Sequence, residues 1–289
     1  IYTIVFFLAL ALGQLLLILE MPANTIFILG SILVLWSLVL VAVTRVTQPV
    51  LKPFERYSMP KLLSIAPLAL VGSFIGGVFV GAFYTMLPLY VLNLFDQPKV
   101  VSLFMTITIL GGLMAQLPVG MLSDRLGRRK MLAWSGFFSV GVLLLMLILP
   151  LIWRDSVALL YTVGFLLGVS LFSIYPLSVA RANDVFDENT DLVEISRTLL
   201  FSYGFGSFIA PLVLGFVLGF SAIAFFIVLA LFALVLGYYS LQSERVSEDH
   251  MNVYVAVPAA SGSVLAEMDP RMDDQWVEDH RPHPEHAHN

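Results

Sequence analysis

The sequence predicts an all-α membrane protein of about eight transmembrane helices, and three observations carry that prediction. The chain of 289 residues is 59% hydrophobic and only 12% charged, with a mean hydropathy of +0.91, whereas soluble domains carry about 25% charged residues. Its apolar residues fall into eight runs, each of a length to cross roughly 30 Å of hydrocarbon. The turns between these runs alternate between Arg/Lys-rich and Arg/Lys-poor, the pattern of loops that stay in the cytoplasm and loops that cross. There is no cysteine, so disulfides, thiolate metal sites and cysteine nucleophiles are excluded. The net charge of −5 comes mostly from the end of the chain, and no basic patch away from the membrane points to nucleic acid.

In order, residues 1–19 form a first span, a turn through Glu20, Pro22 and Asn24 follows, and residues 25–44 form a second. Residues 45–61 hold Arg45, Lys52, Arg56 and Lys61 among Pro49, Pro53 and Pro60, which is linker composition on the positive side and the expected boundary between two units. Residues 62–92 are a third span, interrupted by Gly72, Gly76, Gly77, Gly81 and Pro88, and 93–99 are a short outer loop. Spans 100–122 and 131–152 flank a basic loop, Arg154 and Asp155 mark the next outer turn, and 157–180, 198–219 and 221–241 complete the membrane part. One side thereby collects Arg45, Lys52, Arg56, Lys61, Arg125, Arg128, Arg129, Lys130, Arg181, Arg197 and Arg245. The other has Lys99 and Arg154. An even number of spans places both ends of this chain in the cytoplasm. The opening residue is Ile1, with no basic flank ahead of an apolar stretch, so the chain is expected to start partway through a longer protein.

The most informative stretch is Gly120-Met-Leu-Ser-Asp124-Arg125-Leu-Gly127-Arg128-Arg129-Lys130-Met-Leu132. Positive-inside bias accounts for its cations but not for two glycines and an aspartate at these spacings. The pattern G-x-L-[AS]-D-R-x-G-R-[RK]-x-x-L is similar to the signature loop of the major facilitator superfamily, with every fixed position present. The resemblance implies two six-helix halves joined by a cytoplasmic linker, with the signature after the second helix of a half. On that frame residues 62–241 are a complete C-terminal half, residues 1–44 the last two helices of the N-terminal half, and four helices are absent ahead of them. Gly120, Asp124, Arg125, Gly127, Arg128 and Arg129 then form a hinge that stabilises one closed cytoplasmic face, with Asp124 toward the start of the helix containing Gly13. Leu12-Gly13-Gln14, Tyr84 to Tyr90, Gln116-Leu-Pro118 and Ser202-Tyr203-Gly204-Phe-Gly206-Ser207 also resemble the YcaD-like group of uncharacterised facilitator transporters, a group that brings no substrate with it.

No Asp, Glu, Lys, Arg or His lies in the central part of any span. Each would cost roughly 2.5–3.5 kcal/mol at a helix centre and would mark an ion or proton path. Either coupling groups lie in helices outside this chain, or the carrier moves its substrate passively. Polar and aromatic residues that can line a path are Tyr84, Tyr90, Gln116, Tyr175, Ser202 and Tyr203, together with Thr85, Asn93, Ser173 and Ser207. Gln116, Tyr84 and Tyr175 are the better candidates, because a buried amide or hydroxyl must find a partner. The alternative for tyrosines is anchoring at the membrane interface, and for Ser or Thr bonding to its own helix. Gly72/Gly76, Gly77/Gly81 and Gly215/Gly219 are small-residue spacings for close helix approach. Pro88 and Pro211 are expected to kink their helices and free main-chain carbonyls that help form the path. Gly204-Phe-Gly206 lacks the third glycine and preceding strand of a nucleotide loop.

Asp184, Asp187, Glu188, Asp191 and Glu194 form an acidic loop in which Asp191 and Glu194 fit a helix-capping pair. Residues 242–289 are polar, acidic and His-rich, a composition expected to be disordered. Pro282 and Pro284 bar a helical ligand face for His280, His283, His286 and His288. Every histidine lies at or beyond His250, so no intramembrane hydrolase constellation is present, and no cofactor or metal is implied. The functional expectation is a secondary transporter in the inner membrane that moves a small organic solute, metabolite or drug-like, by alternating access. Its partners are the bilayer, the solute and, where coupling exists, protons. The competing classes are a passive facilitator and a sensor or scaffold built on the same fold.

Overall fold

The computed structural model describes residues 2–19, 21–44, 66–152, 156–185 and 192–242. The linker, Glu20, Arg154 and Asp155, the capping Asp191 and the His-rich tail lie outside the described residues. The described chain is helical throughout: α1 (Tyr2–Leu16, extended by a 3-10 turn at Leu17–Leu19), α2 (Ala23–Val43), α3 (Pro67–Thr85), α4 (Leu87–Phe95), α5 (Pro98–Leu126), α6 (Arg128–Ile152), α7 (Val157–Val185), α8 (Leu192–Phe220) and α9 (Ala222–Gln242). In hydrocarbon every backbone polar group needs an internal partner, which an uninterrupted helix supplies. Seven helices are long and apolar enough to cross a membrane, with α3 and α4 acting as one span, and the shorter apolar stretch Thr3–Leu19 is an eighth.

The breaks between helices are tighter than the hydropathy profile indicates. Proline stands at the first or second position of α3, α4 and α5, where its missing N–H costs nothing. Within the third span Pro88 therefore starts a new helix after Met86 rather than bending one. The expected outer loop at residues 93–99 shrinks to Asp96 and Gln97, with Asp96 left-handed at φ 50°. The expected basic loop is likewise mostly helix. α5 continues through Leu126, only Gly127 leaves the helical path at φ 89°, and α6 begins at Arg128. α7 runs five residues past the predicted end of its span, which carries Arg181 and Asp184 onto a helix instead of a loop.

Glycines set the bundle. α3 pairs with α8, α5 with α7 and α6 with α9, and in each pair backbone meets backbone. A Cβ on Gly77 would fall on the Tyr203 carbonyl, one on Gly81 would come within 2.6 Å of the Ser207 carbonyl oxygen, and Gly206 answers against the Phe74 carbonyl. Gly111 and Gly168 do the same across α5 and α7, against the carbonyls of Phe165 and Thr108. Gly136 would place a Cβ 2.7 Å from the Gly237 nitrogen on α9. Lipid tails are as apolar as leucine, so such close packing, with Cα–H groups facing carbonyls, is what draws membrane helices together. Gly72 and Gly76 face Ser178 and Tyr175 of α7, as their spacing predicts, whereas Gly219 has no heavy atom within 4 Å and makes no such approach.

Around these pairs lies an aromatic core in which Phe79, Phe83, Phe104, Phe225 and Phe226 are essentially fully buried. α1 packs along α5, and the Ser102 hydroxyl donates to the Gln14 carbonyl. α2 buries none of its span and is apolar all round, as a lipid-facing helix is.

Candidate solute cavity and charged helix junction

A cavity of about 410 Å³ opens where α1, α3, α5, α7 and α8 converge. Six aromatic rings line it, Phe6 and Phe7 from α1, Tyr84 from α3, Phe172 and Tyr175 from α7, and Tyr203 from α8, together with the Gln116 amide of α5. Four of the six residues singled out in the sequence, from four different helices, thus meet in one space: Tyr84, Gln116, Tyr175 and Tyr203. Tyr175 and Tyr203 hold ring centroids 4.7 Å apart, and Phe172 is edge-on to Phe7 and to Phe83. Such contacts stabilise by about 0.5–1.5 kcal/mol each beyond burial, so the walls are mutually braced.

Proline places the polar groups. Pro176 has no N–H for the carbonyl four residues back, which is that of Phe172. The Gln116 side-chain amide donates to that carbonyl over 3.2 Å. Both residues border the cavity, so one wall is fixed by a side-chain bond where the helical bond is lacking. Pro88, at the start of its helix, likewise has no N–H to offer the Tyr84 carbonyl. Pro211 frees the Ser207 carbonyl, which is the group that Gly81 approaches. The sequence pointed to Pro88 and Pro211 but missed Pro176, and the signal for it was available: an amide on one apolar helix and a mid-helix proline on another.

Tyr90 and Ser202 go elsewhere. Tyr90 packs edge-on against Phe226, with its hydroxyl 3.4 Å from the Met146 carbonyl, and the Ser202 hydroxyl donates to the Leu70 carbonyl. Neither borders the cavity. Thr85 and Ser173 bond carbonyls of their own helices. Asn93 is exposed in the last turn of α4.

A second constellation sits where α5 turns into α6. Arg128, almost fully buried, lies 3.2 Å from Asp124 and presents its Nε 2.8 Å from the Oδ2 of Asp184, the last a charge contact rather than an aligned hydrogen bond. Asp184 is as buried as Arg128, while Asp124 is about one-third exposed. Asp184, expected in an acidic loop, is instead the inner partner of the signature arginine, carried there by the longer α7. Arg181, one turn earlier, is also buried. The residues of the signature divide their work. Gly127 makes the turn, Ser123 bonds the Gly120 carbonyl, Arg125 is exposed, and Arg129 donates to the Leu241 carbonyl at the end of α9 over 2.9 Å. A cation at the last carbonyls of a helix meets the negative end of its dipole.

A helical bundle of membrane-crossing length with charge confined to helix ends among the described residues defines the class of multi-pass integral membrane proteins. A model of the Major Facilitator Superfamily matches residues 1–192 and also 69–252, and the chain belongs to that superfamily. It is similar to an uncharacterized MFS-type transporter of Enterobacter sp. (strain 638), 28% identical over 214 residues that cover 73% of this chain and 53% of that protein. The uncharacterized MFS-type transporter YcaD of Escherichia coli (strain K12 / DH10B) is similar to the same extent. The chain spans about half the length of the curated relatives it matches. No solved structure matches it.

Proposed function

We propose that this chain supplies the C-terminal half, and two helices of the preceding half, of a secondary transporter that moves a small organic solute across the inner membrane by alternating access. The observation that carries the reading is the convergence of Tyr84, Gln116, Tyr175 and Tyr203 on one cavity from four helices, because a site shared among helices changes shape when they rock. On this reading residues 45–61 link the two halves, and both ends of the chain are cytoplasmic. The hinge at Gly127 and the ion pairs of Arg128 stabilise one closed cytoplasmic face. No Asp, Glu, Lys, Arg or His borders the cavity among the described residues, which favours either coupling groups supplied by other helices or passive transport. The test is uptake and efflux by the full-length protein in proteoliposomes across a panel of metabolites and drugs, with and without an imposed proton gradient. Saturable flux driven by the gradient supports a coupled carrier, and flux indifferent to it supports a facilitator. Absence of flux for every solute would overturn the transport reading in favour of a sensor or scaffold.

A further inference from the structure

The cavity also carries information about what it holds. Of its lining residues, six are aromatic and one is an amide, and the remaining four, Leu10, Val80, Leu171 and Pro176, are apolar. Among the described residues no charged side chain lines it. A compact anion entering would lose its hydration shell and find no guanidinium or ammonium in exchange, and a compact cation would find ring faces but no carboxylate. The volume of about 410 Å³ falls in the range of roughly 300–1,000 Å³ typical of drug-sized ligand sites. The hydroxyls of Tyr84, Tyr175 and Tyr203 have no hydrogen-bond partner among the described residues. Each can donate and accept.

We infer that the cavity binds an uncharged, planar aromatic solute bearing at least one hydrogen-bonding group, its ring packed against the paired Tyr175 and Tyr203 rings and its polar group held by the tyrosine hydroxyls. The inference rests on the transporter reading for the route of the solute, but not for its binding. The aromatic walls are pre-braced by ring–ring contacts within the protein, so little ordering is required when a ring enters, and preorganisation of this kind favours affinity. A flexible polyol would leave the Phe6, Phe7 and Phe172 surfaces facing hydroxyls, and an alkyl chain would leave the three tyrosine hydroxyls unpaired.

The experiment uses three probes on one scaffold, 2-naphthol, 2-naphthalenesulfonate and trimethyl(2-naphthyl)ammonium, titrated at pH 7 into the full-length protein in nanodiscs, with empty nanodiscs subtracted for lipid partitioning. Saturable binding of 2-naphthol is expected to be at least about tenfold tighter than that of either charged probe, and Tyr203→Ala should weaken it by about tenfold. Tyr203→Phe guards against misfolding: it keeps the ring and should weaken 2-naphthol while leaving 2-methylnaphthalene unchanged. Tyr238→Ala, on the exposed face of α9, should alter nothing. Equal or tighter binding of the sulfonate or the ammonium, indifference of 2-naphthol to both Tyr203 variants, or no saturable binding at all would overturn the inference. Failure here and failure of transport separate cleanly. Binding without flux removes the carrier reading and keeps the ligand class, whereas flux of other solutes without naphthol binding does the reverse.

Discussion

The side-chain amide of Gln116 on α5 donates to the main-chain carbonyl of Phe172 on α7, and Pro176 is the reason that carbonyl is available. A helix that gives up an internal bond in the membrane must have it replaced, because lipid offers no hydrogen-bond partner. Gln116→Leu should therefore cost about 1–3 kcal/mol, the usual penalty for a buried polar group left alone. The diagnostic is a double-mutant cycle with Pro176→Ala, read as apparent melting temperature in nanodiscs. Alanine restores the N–H that bonds Phe172 within α7, so the Gln116→Leu loss should be much smaller in that background. Equal losses in both backgrounds would show that Gln116 matters for another reason.

Backbone contact between α3 and α8 predicts a position-specific response to a single methyl group. Gly77→Ala places a Cβ on the Tyr203 carbonyl, and two packed helices must separate to admit it, at about 1–3 kcal/mol for an overpacked site. Tyr203 borders the cavity, so solute affinity should fall along with stability. Gly219→Ala, with open space around it, should leave stability unchanged or raise it by up to about 1 kcal/mol. Comparable melting temperatures for the two variants would remove glycine packing as the basis of the pair.

Much of the fold was legible in the sequence. The span count depends on hydrophobic length and charge alternation, both local properties, and it survives as seven long helices and a shorter one. The limits of the helices were less legible, because hydropathy marks where lipid ends and not where hydrogen bonding ends. α5 and α7 run on through polar residues beyond their apolar spans, which is why Asp184 was assigned to a loop. Among candidate path residues, Gln116 stood out for a physical reason that holds in the structure: an amide in an apolar helix must bond something. Tyr90 and Ser202 looked equivalent to Tyr203 in sequence, yet they bond carbonyls of neighbouring helices. Helix rotation decides between those fates, and composition carries no trace of it.

Asp124 is the outer member of the junction, about one-third exposed and 3.2 Å from Arg128. Under the proposed carrier mechanism its carboxylate favours the closed cytoplasmic face through Arg128 and, as the superfamily resemblance implies, through the dipole of the helix containing Gly13, worth roughly 0.3–1 kcal/mol. Asp124→Asn is expected to shift the population toward the inward-open form. Cysteine labelling at the cytoplasmic face of the full-length protein measures that shift, and unchanged accessibility would count against a gating role.

Asp184 should behave differently from Asp124 although both face the same arginine. The Arg128–Asp184 contact is closed off from solvent on both sides, whereas the Arg128–Asp124 contact is open on one. Removing one partner of a buried pair strands the other charge, at about 3–5 kcal/mol, while an exposed pair contributes about 0–1 kcal/mol. Asp184→Asn should accordingly lower the melting temperature well beyond Asp124→Asn. Replacing Arg128 by Met together with Asp184 by Leu should recover much of the loss, since no charge then remains buried. The state shift expected of Asp124→Asn and the stability loss expected of Asp184→Asn are thus separable readouts of one arginine. If the two single variants lost equal stability, or the double replacement recovered none, Arg128 would not owe its burial to Asp184.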